Sequence, residues 1–378
     1  MFALTNCRIH TASGCLEDHA VLVDGKRIAG IVAAAEISAG TLQNDLAGGH
    51  LAPGFIDIQV NGGGGAMFDE APGGEAIARI AMAHRRFGTV GFVPTLITGP
   101  RGKIGAAIDA VAEALAAGAP GLLGLHLEGP AINPERRGMH AESHIGALGE
   151  DDISRLEALP AERLVTLAPE CVPPGLIARL TESGVKVLAG HTEATAEEIV
   201  AAKREGLRGV THLYNAMSGL QGRAPGTVGA ALADDGLWCG IIADGVHVHA
   251  SAIRAAWRAK REKLMLVTDA MAPVGTNMTA FEQGGQRIDV RDGSCFLADG
   301  RLAGSTLDMA RAVRHCVGPV SLPLDEALRM ASTYPAEFLG LGARLGRIET
   351  GYDASLVWLD DSLAVKATWI EGDERLHD

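Results

Sequence analysis

The sequence predicts a parallel (β/α)8 barrel carrying a small β-sandwich domain built from both chain ends. Two patterns predict it. Between residues 51 and 341, short and nearly continuous apolar runs alternate with amphipathic helical stretches. That is the pattern of strands buried on both faces and joined by crossover helices. Residues 1–50 and 342–378 lack the alternation and read as short strands separated by polar turns. A length of 378 residues accommodates one barrel and one small domain.

Taken in order, the amino-terminal segment contains Asp24-Gly25 between Val21-Leu22-Val23 and Ile28-Ala29-Gly30-Ile31, a hairpin signal. Eight apolar runs follow, at 55–59, 90–96, 122–127, 164–168, 185–189, 209–212, 237–242 and 264–268. Helix-period segments lie between most of them, at 75–87, 104–117, 174–183, 196–205 and 250–260. Eight β-then-α units suit a closed barrel better than an open sheet. Gly-rich turns within 275–303 predict a hairpin inserted before the final helices. The carboxyl-terminal runs 354–359 and 366–370 alternate again, so the two ends are expected to meet in one small sheet domain.

Composition narrows the class of function. Glycine contributes 49 of 378 residues, about 13% against a usual share of about 7%. Without a Gly-X-Y period this marks tight backbone positions, not collagen, and the Gly62-Gly63-Gly64-Gly65 stretch lacks the Lys-Ser/Thr end of a phosphate-binding loop. A net charge of −13, from 33 basic and 46 acidic residues, argues against a nucleic-acid or anionic-membrane binder. A small anionic ligand needs only a few local donors and is not excluded. No early apolar run reads as a signal peptide, and no stretch is apolar enough to span a bilayer. Cys7, Cys15, Cys171, Cys239, Cys295 and Cys316 form no C-x-x-C pair and read as reduced core residues of a cytoplasmic protein.

Chemistry concentrates where the runs end. The third ends in His126-Leu127-Glu128, the fifth leads to Gly190-His191-Thr192, and the sixth to Thr211-His212. The seventh leads to Asp244-Gly245-Val246-His247 and the eighth to Thr268-Asp269. In a parallel barrel the carboxyl ends of all strands open on one face, so Glu128, His191, His212, His247 and Asp269 would converge. Two imidazoles and a carboxylate make a three-ligand site for a divalent ion with one position open, a role that Glu128, His191 and His212 fit. Asp269 fits a general base. Any one of these residues alone is more simply a hydrogen-bonded strand end or a helix cap. Five on one face are harder to explain so. His10, His19, His50, His84, His315 and His377 carry no such context.

At these residues the sequence resembles the N-acetylglucosamine-6-phosphate deacetylases of the amidohydrolase superfamily. The resemblance runs along the whole chain, through Pro53-Gly54-Phe55-Ile56-Asp57, His126-Leu127-Glu128-Gly129-Pro130, Gly190-His191-Thr192, Thr211-His212-Leu213-Tyr214-Asn215-Ala216-Met217, Asp244-Gly245-Val246-His247, Thr268-Asp269-Ala270 and Leu302-Ala303-Gly304-Ser305-Thr306. It implies hydrolysis of N-acetylglucosamine 6-phosphate to glucosamine 6-phosphate and acetate. It implies Glu128, His191 and His212 as metal ligands, Asp269 as acid/base and His140 as a donor to the acetamido carbonyl. Asn215, Ala216 and the Ala303-Gly304-Ser305 turn match substrate contacts. Arg223 and His247 match a phosphate-binding pair, one of which the family draws from a neighbouring subunit, in a homodimer or homotetramer. Where many amidohydrolases carry His-x-His for a second metal, this chain has Gln59 and Asn61, poor ligands for Zn²⁺ or Fe²⁺. One divalent ion per subunit is therefore expected, Zn²⁺ first, with Fe²⁺ or another ion as alternatives.

Three other readings stay open at the level of sequence. The sugar could be the galactosamine isomer, or the fold could serve another amide or ring hydrolase. The barrel could also have lost its chemistry and act as an assembly scaffold, against which the joint presence of Glu128, His191, His212 and Asp269 speaks.

Overall fold

A computed structural model describes residues 1–377 of the chain. All eight apolar runs become strands of one eight-stranded sheet. They are Phe55–Val60, Thr89–Ile97, Gly124–Glu128, Glu162–Leu167, Lys186–Ala189, Gly209–Val210, Trp238–Ile242 and Leu264–Val267. Each pairs in parallel with its neighbours in chain order. The ring closes just beyond the strand ends, where Val60 pairs with Ala270. The Asp269 amide donates to the Gln59 carbonyl at 3.0 Å, and the Asn61 amide to Ala270 at 2.9 Å. The sixth strand is only two residues long because the chain turns away at His212, which has φ 33°.

Within each strand, alternate side chains face the barrel axis and its helical coat. Leu125 and Leu127 pack in the apolar core, whereas His126 bonds across the interior to Thr95 at 3.2 Å and Thr166 at 2.8 Å. Thr166 in turn meets Thr211 at 2.6 Å. A belt of hydrogen-bonded polar groups thus lies beneath the open end of the barrel, and the carboxylate of Glu128 stands two residues above it.

Strands from both ends build two further sheets. One comprises Phe2–Thr5, His19–Asp24, Arg27–Ala33 and Leu42–Asp45. The other joins amino-terminal Arg8–Thr11, Gly14–Leu16 and His50–Pro53 edge to edge with carboxyl-terminal Leu356–Leu359, Val365–Ile370 and Asp373–Leu376. Leu356 pairs with Pro53 and Leu359 with His50, antiparallel. Leu4, Ile9, Val21, Leu51, Leu356 and Trp369 share the core of this part. The expected hairpin turns at Gly25 and Lys26, with Gly25 at φ 54°.

Two expectations need correction. The segment 275–303 holds a four-stranded antiparallel meander ending at Ser305, not one hairpin: Ala280–Gln283, Gln286–Arg291, Ser294–Phe296 and Leu302–Ser305. Turns at Gly284-Gly285, at Asp292-Gly293 and across 297–301 supply the extra reversals. Its inner face, with Phe281, Ile288 and Cys295, packs on Met67 and Met271 beside the open end of the barrel. Two cysteines are also not core residues. Cys15 sits exposed on an edge strand and Cys171 on the turn after the fourth barrel strand, while the other four are buried. No helix among the described residues is long and apolar enough to cross a membrane.

Candidate metal centre and active site

Glu128 is the last residue of its strand, and His191, His212 and Asp269 each stand two residues past theirs. These last three take left-handed backbone, at φ 50°, 33° and 51°. For residues with a Cβ this costs on the order of 1–3 kcal/mol each and persists only where the surroundings impose it. Here the turn redirects each side chain from the strand line toward the barrel axis, and main-chain bonds such as Asn133 N–H to the His191 carbonyl at 2.8 Å hold it.

The result is a compact donor cluster. Glu128 Oε1 lies 3.1 Å from His191 Nε2 and 2.9 Å from His212 Nε2, and the two imidazole nitrogens are 3.1 Å apart. His191 Nδ1 lies 2.8 Å from the Arg136 carbonyl, so Nδ1 carries the proton and Nε2 turns a lone pair inward. Lone pairs and a carboxylate crowded this closely repel unless a proton or cation sits among them. Ligand atoms about 2.0–2.1 Å from a tetrahedral ion lie about 3.3 Å apart, close to the spacing here, so the donor set fits a divalent ion. Burial raises the pKa of Glu128, but the adjoining imidazoles of His191 and His212, when they carry the inward proton that a cation would replace, outweigh it and hold the carboxyl well below its ordinary range. Burial likewise opposes the charged form of His212, but Glu128 prevails and raises its pKa.

His140 also reaches the cluster, since donor atoms of Glu128, His140 and His191 lie within 4.8 Å of one another. Its tautomer argues against a ligand role. His140 Nδ1 accepts from the Thr98 amide at 3.3 Å and lies 2.8 Å from Thr98 Oγ1, which leaves the proton on Nε2. Burial and the neighbouring His191 push its pKa down to about 3, so it is a neutral N–H donor.

Asp269 faces the same space. Burial and the charge of Glu128 raise its pKa to about 6, against the lowering pull of His212, His247 and Asn61. Asn61 Nδ2 donates to Asp269 Oδ1 at 2.6 Å. Gln59 Nε2 lies 3.3 Å from that oxygen and 3.2 and 3.1 Å from the two oxygens of Glu128.

A cavity of about 350 Å³ opens over these groups and is lined by Asn61, Glu128, His140, His191, Asn215, Ala216, His247, Asp269 and Gly304, among others. His247 Nδ1 donates to Asp244 Oδ2 at 2.7 Å, while Asp244 Oδ1 accepts the amides of Val246 and His247 at 2.8 Å each. Asp244 thereby fixes the orientation of the imidazole where it lines the cavity. Four expected residues stand outside the lining, one of them His212, which is buried and reaches the cluster through Glu128 Oε1 and His191 Nε2. Arg223 lies exposed on the 218–225 loop and makes no ion pair among the described residues. Ala303 is buried behind the wall, and Ser305 is committed to the Thr268 carbonyl at 2.6 Å. Between them Gly304, at φ 72°, runs close to Met271, where a Cβ would meet Cγ at 2.6 Å. Sequence reasoning passed over Gln59 and Asn61 as site residues, although their i, i+2 spacing on the first strand puts both on the axial face. It also gave no role to Arg301, which lines the mouth and donates to the Gly138 carbonyl at 2.7 Å.

The chain is similar to known proteins along nearly its whole length. The model of the amidohydrolase family matches residues 50–375, and that of the NagA composite domain matches residues 1–51. An N-acetylgalactosamine-6-phosphate deacetylase of Shewanella sp. (strain ANA-3) is 43% identical over 378 residues, covering 99% of this chain and 95% of that protein. An N-acetylglucosamine-6-phosphate deacetylase of Haemophilus influenzae is 34% identical, covering 98% of each. The crystal structure of N-acetylglucosamine-6-phosphate deacetylase from Pasteurella multocida superposes with a TM-score of 0.97 at 36% identity over 100% of both chains.

Proposed function

Because the chain belongs to the amidohydrolase family, we propose that it hydrolyses the acetamido group of N-acetylglucosamine 6-phosphate, releasing glucosamine 6-phosphate and acetate. The observation that carries this reading is the Glu128–His191–His212 cluster, whose Glu128 and His191 line one cavity together with Asp269 and His247. The names of the Haemophilus and Pasteurella proteins support it.

Glu128, His191 and His212 would hold one divalent ion, with Zn²⁺ the first choice for two imidazoles and a carboxylate. Such an ion polarises an amide carbonyl and lowers the pKa of water toward about 7. Asp269 takes a proton from the attacking water and, once protonated, delivers it to the amide nitrogen as the C–N bond breaks. Burial and the neighbouring Glu128 raise the proton affinity of Asp269, which suits it to accept and then return a proton. His140 donates its Nε2–H to the acetamido oxygen as negative charge develops there. His247, backed by Asp244, takes the phosphate, and Asn215, Ala216 and Gly304 line the sugar. Arg223 lies outside its own chain's cavity, which favours a homodimer in which it completes the phosphate site of the neighbour. Six unpaired cysteines support a reducing, cytoplasmic setting.

The Shewanella relative favours a second reading, in which the galactosamine isomer is the better substrate. Acetate release from both sugar phosphates, with and without a chelator, separates the two. Metal-dependent release with higher kcat/KM on the glucosamine form is expected. Release from neither by metal-loaded protein would overturn both readings.

A further inference from the structure

Glu128 and Asp269 are two carboxylates sharing one enclosed site, and their mutual repulsion is one cause of Asp269's raised pKa. Two neutral amides lie against them. Gln59 Nε2 is within 3.3 Å of three carboxylate oxygens, two on Glu128 and one on Asp269. Asn61 Nδ2 reaches the same Asp269 oxygen, Oδ1, at 2.6 Å. Both amides are almost wholly enclosed, at 1% and 3% exposure. Asn61 Oδ1 has no donor, so the side chain is oriented wholly to serve Asp269. Gln59 is fixed from below, its main-chain amide bonded to Asp57 Oδ1 at 3.2 Å. Asp269 Oδ2 takes no hydrogen bond among the described residues, so the two oxygens of one carboxylate are sharply unlike.

We propose that Gln59 and Asn61 are positioning residues whose amides pin Asp269 by Oδ1 and tie it to Glu128, leaving Oδ2 as the atom that carries the proton. The division of labour follows from the contacts. Gln59 orients both Glu128 and Asp269, so it acts on the ligand set and on the base. Asn61 touches only Asp269, so it acts on proton transfer alone. The part concerning Asn61 rests on the deacetylase reading; the part concerning Gln59 and the metal does not.

The test compares Gln59→Ala, Asn61→Ala and the isosteric Asn61→Asp. Zn²⁺ affinity is measured by competition with a chromophoric chelator, beside kcat, KM and melting temperature. Gln59→Ala should weaken Zn²⁺ binding by roughly 10–100-fold, the usual effect of losing a partner that orients a ligand. Asn61→Ala and Asn61→Asp should leave Zn²⁺ affinity and KM within about threefold while kcat falls by roughly 10²-fold. The same Asn61 substitutions in an Asp269→Asn background should change the residual rate by less than about threefold, because the base they position is gone. Unchanged Zn²⁺ affinity in Gln59→Ala overturns the proposal, as does near-normal kcat in the Asn61 variants or an equal loss in both backgrounds. Wild-type protein that binds Zn²⁺ but releases no acetate would defeat the deacetylase reading, while the Zn²⁺ comparison would still decide the role of Gln59.

Discussion

Asp269 combines an uncommon backbone conformation with an uncommon acidity, and both follow from its place beyond the eighth strand. At φ 51° it turns into the cavity, and enclosure beside Glu128 lifts its pKa to about 6. With Asp269 as the base, turnover should fall as pH drops through its pKa in the loaded site, which a bound divalent cation would hold below the value of about 6 that burial and Glu128 alone give. A pH series of kcat on wild type and Asp269→Asn checks this, and an acid limb that survives unchanged in Asp269→Asn would count against Asp269 as the base. Asp269→Asn should keep one metal equivalent and a near-normal melting temperature while kcat falls by roughly 10²–10⁴-fold. Glu128, His191, His212 and Asp269 were legible in the sequence because polar residues ending apolar runs are conspicuous. The work of Gln59 and Asn61 was not. It depends on which face of the first strand meets the eighth, and that register is fixed only when the barrel closes.

At the level of elements, buried parallel strands announce themselves because both faces must be apolar, and all eight runs became strands. The meander at 280–305 was less legible, since several turns of similar glycine content leave the number of reversals undecided. The 218–225 loop carries the least structure and the clearest prediction. It exposes Leu220 at 58% and holds Arg223 away from its own cavity. Arg223→Ala should raise KM about tenfold for the phosphorylated sugar, a typical loss for a charge-assisted hydrogen bond, and spare the non-phosphorylated one. If the loop reaches a neighbour, mixing Arg223→Ala with Asp269→Asn subunits should bring the rate at substrate well below KM to about a quarter of wild type, since one site in four of randomly mixed dimers is then complete. No gain on mixing would assign Arg223 to its own subunit or to the surface.

For the molecule as a whole, buried neutral imidazoles set an acid limit. His84 is 1% exposed and donates to the Gly62 carbonyl at 2.9 Å, and burial lowers its pKa to about 4. Burial, with Arg8 and His10 nearby, does the same for His50. A depressed folded pKa gives stability that is complete above the unfolded value of about 6.5 and lost as pH falls through about 4. For His84 that loss is on the order of 3 kcal/mol. The urea midpoint should therefore fall between pH 6.5 and 4, less steeply in His84→Gln; an identical slope would remove His84 as a cause.

The mixed sheet at the chain ends has a consequence in time. His50–Pro53 must wait for Leu356–Leu359, made roughly 300 residues later, or about 15–60 s at 5–20 residues per second on the ribosome. Until then the amino-terminal half of that sheet shows a bare edge, which any chaperone or neighbouring nascent chain can engage. A chain cut short before residue 356 leaves His50–Pro53 without the strand that covers this edge.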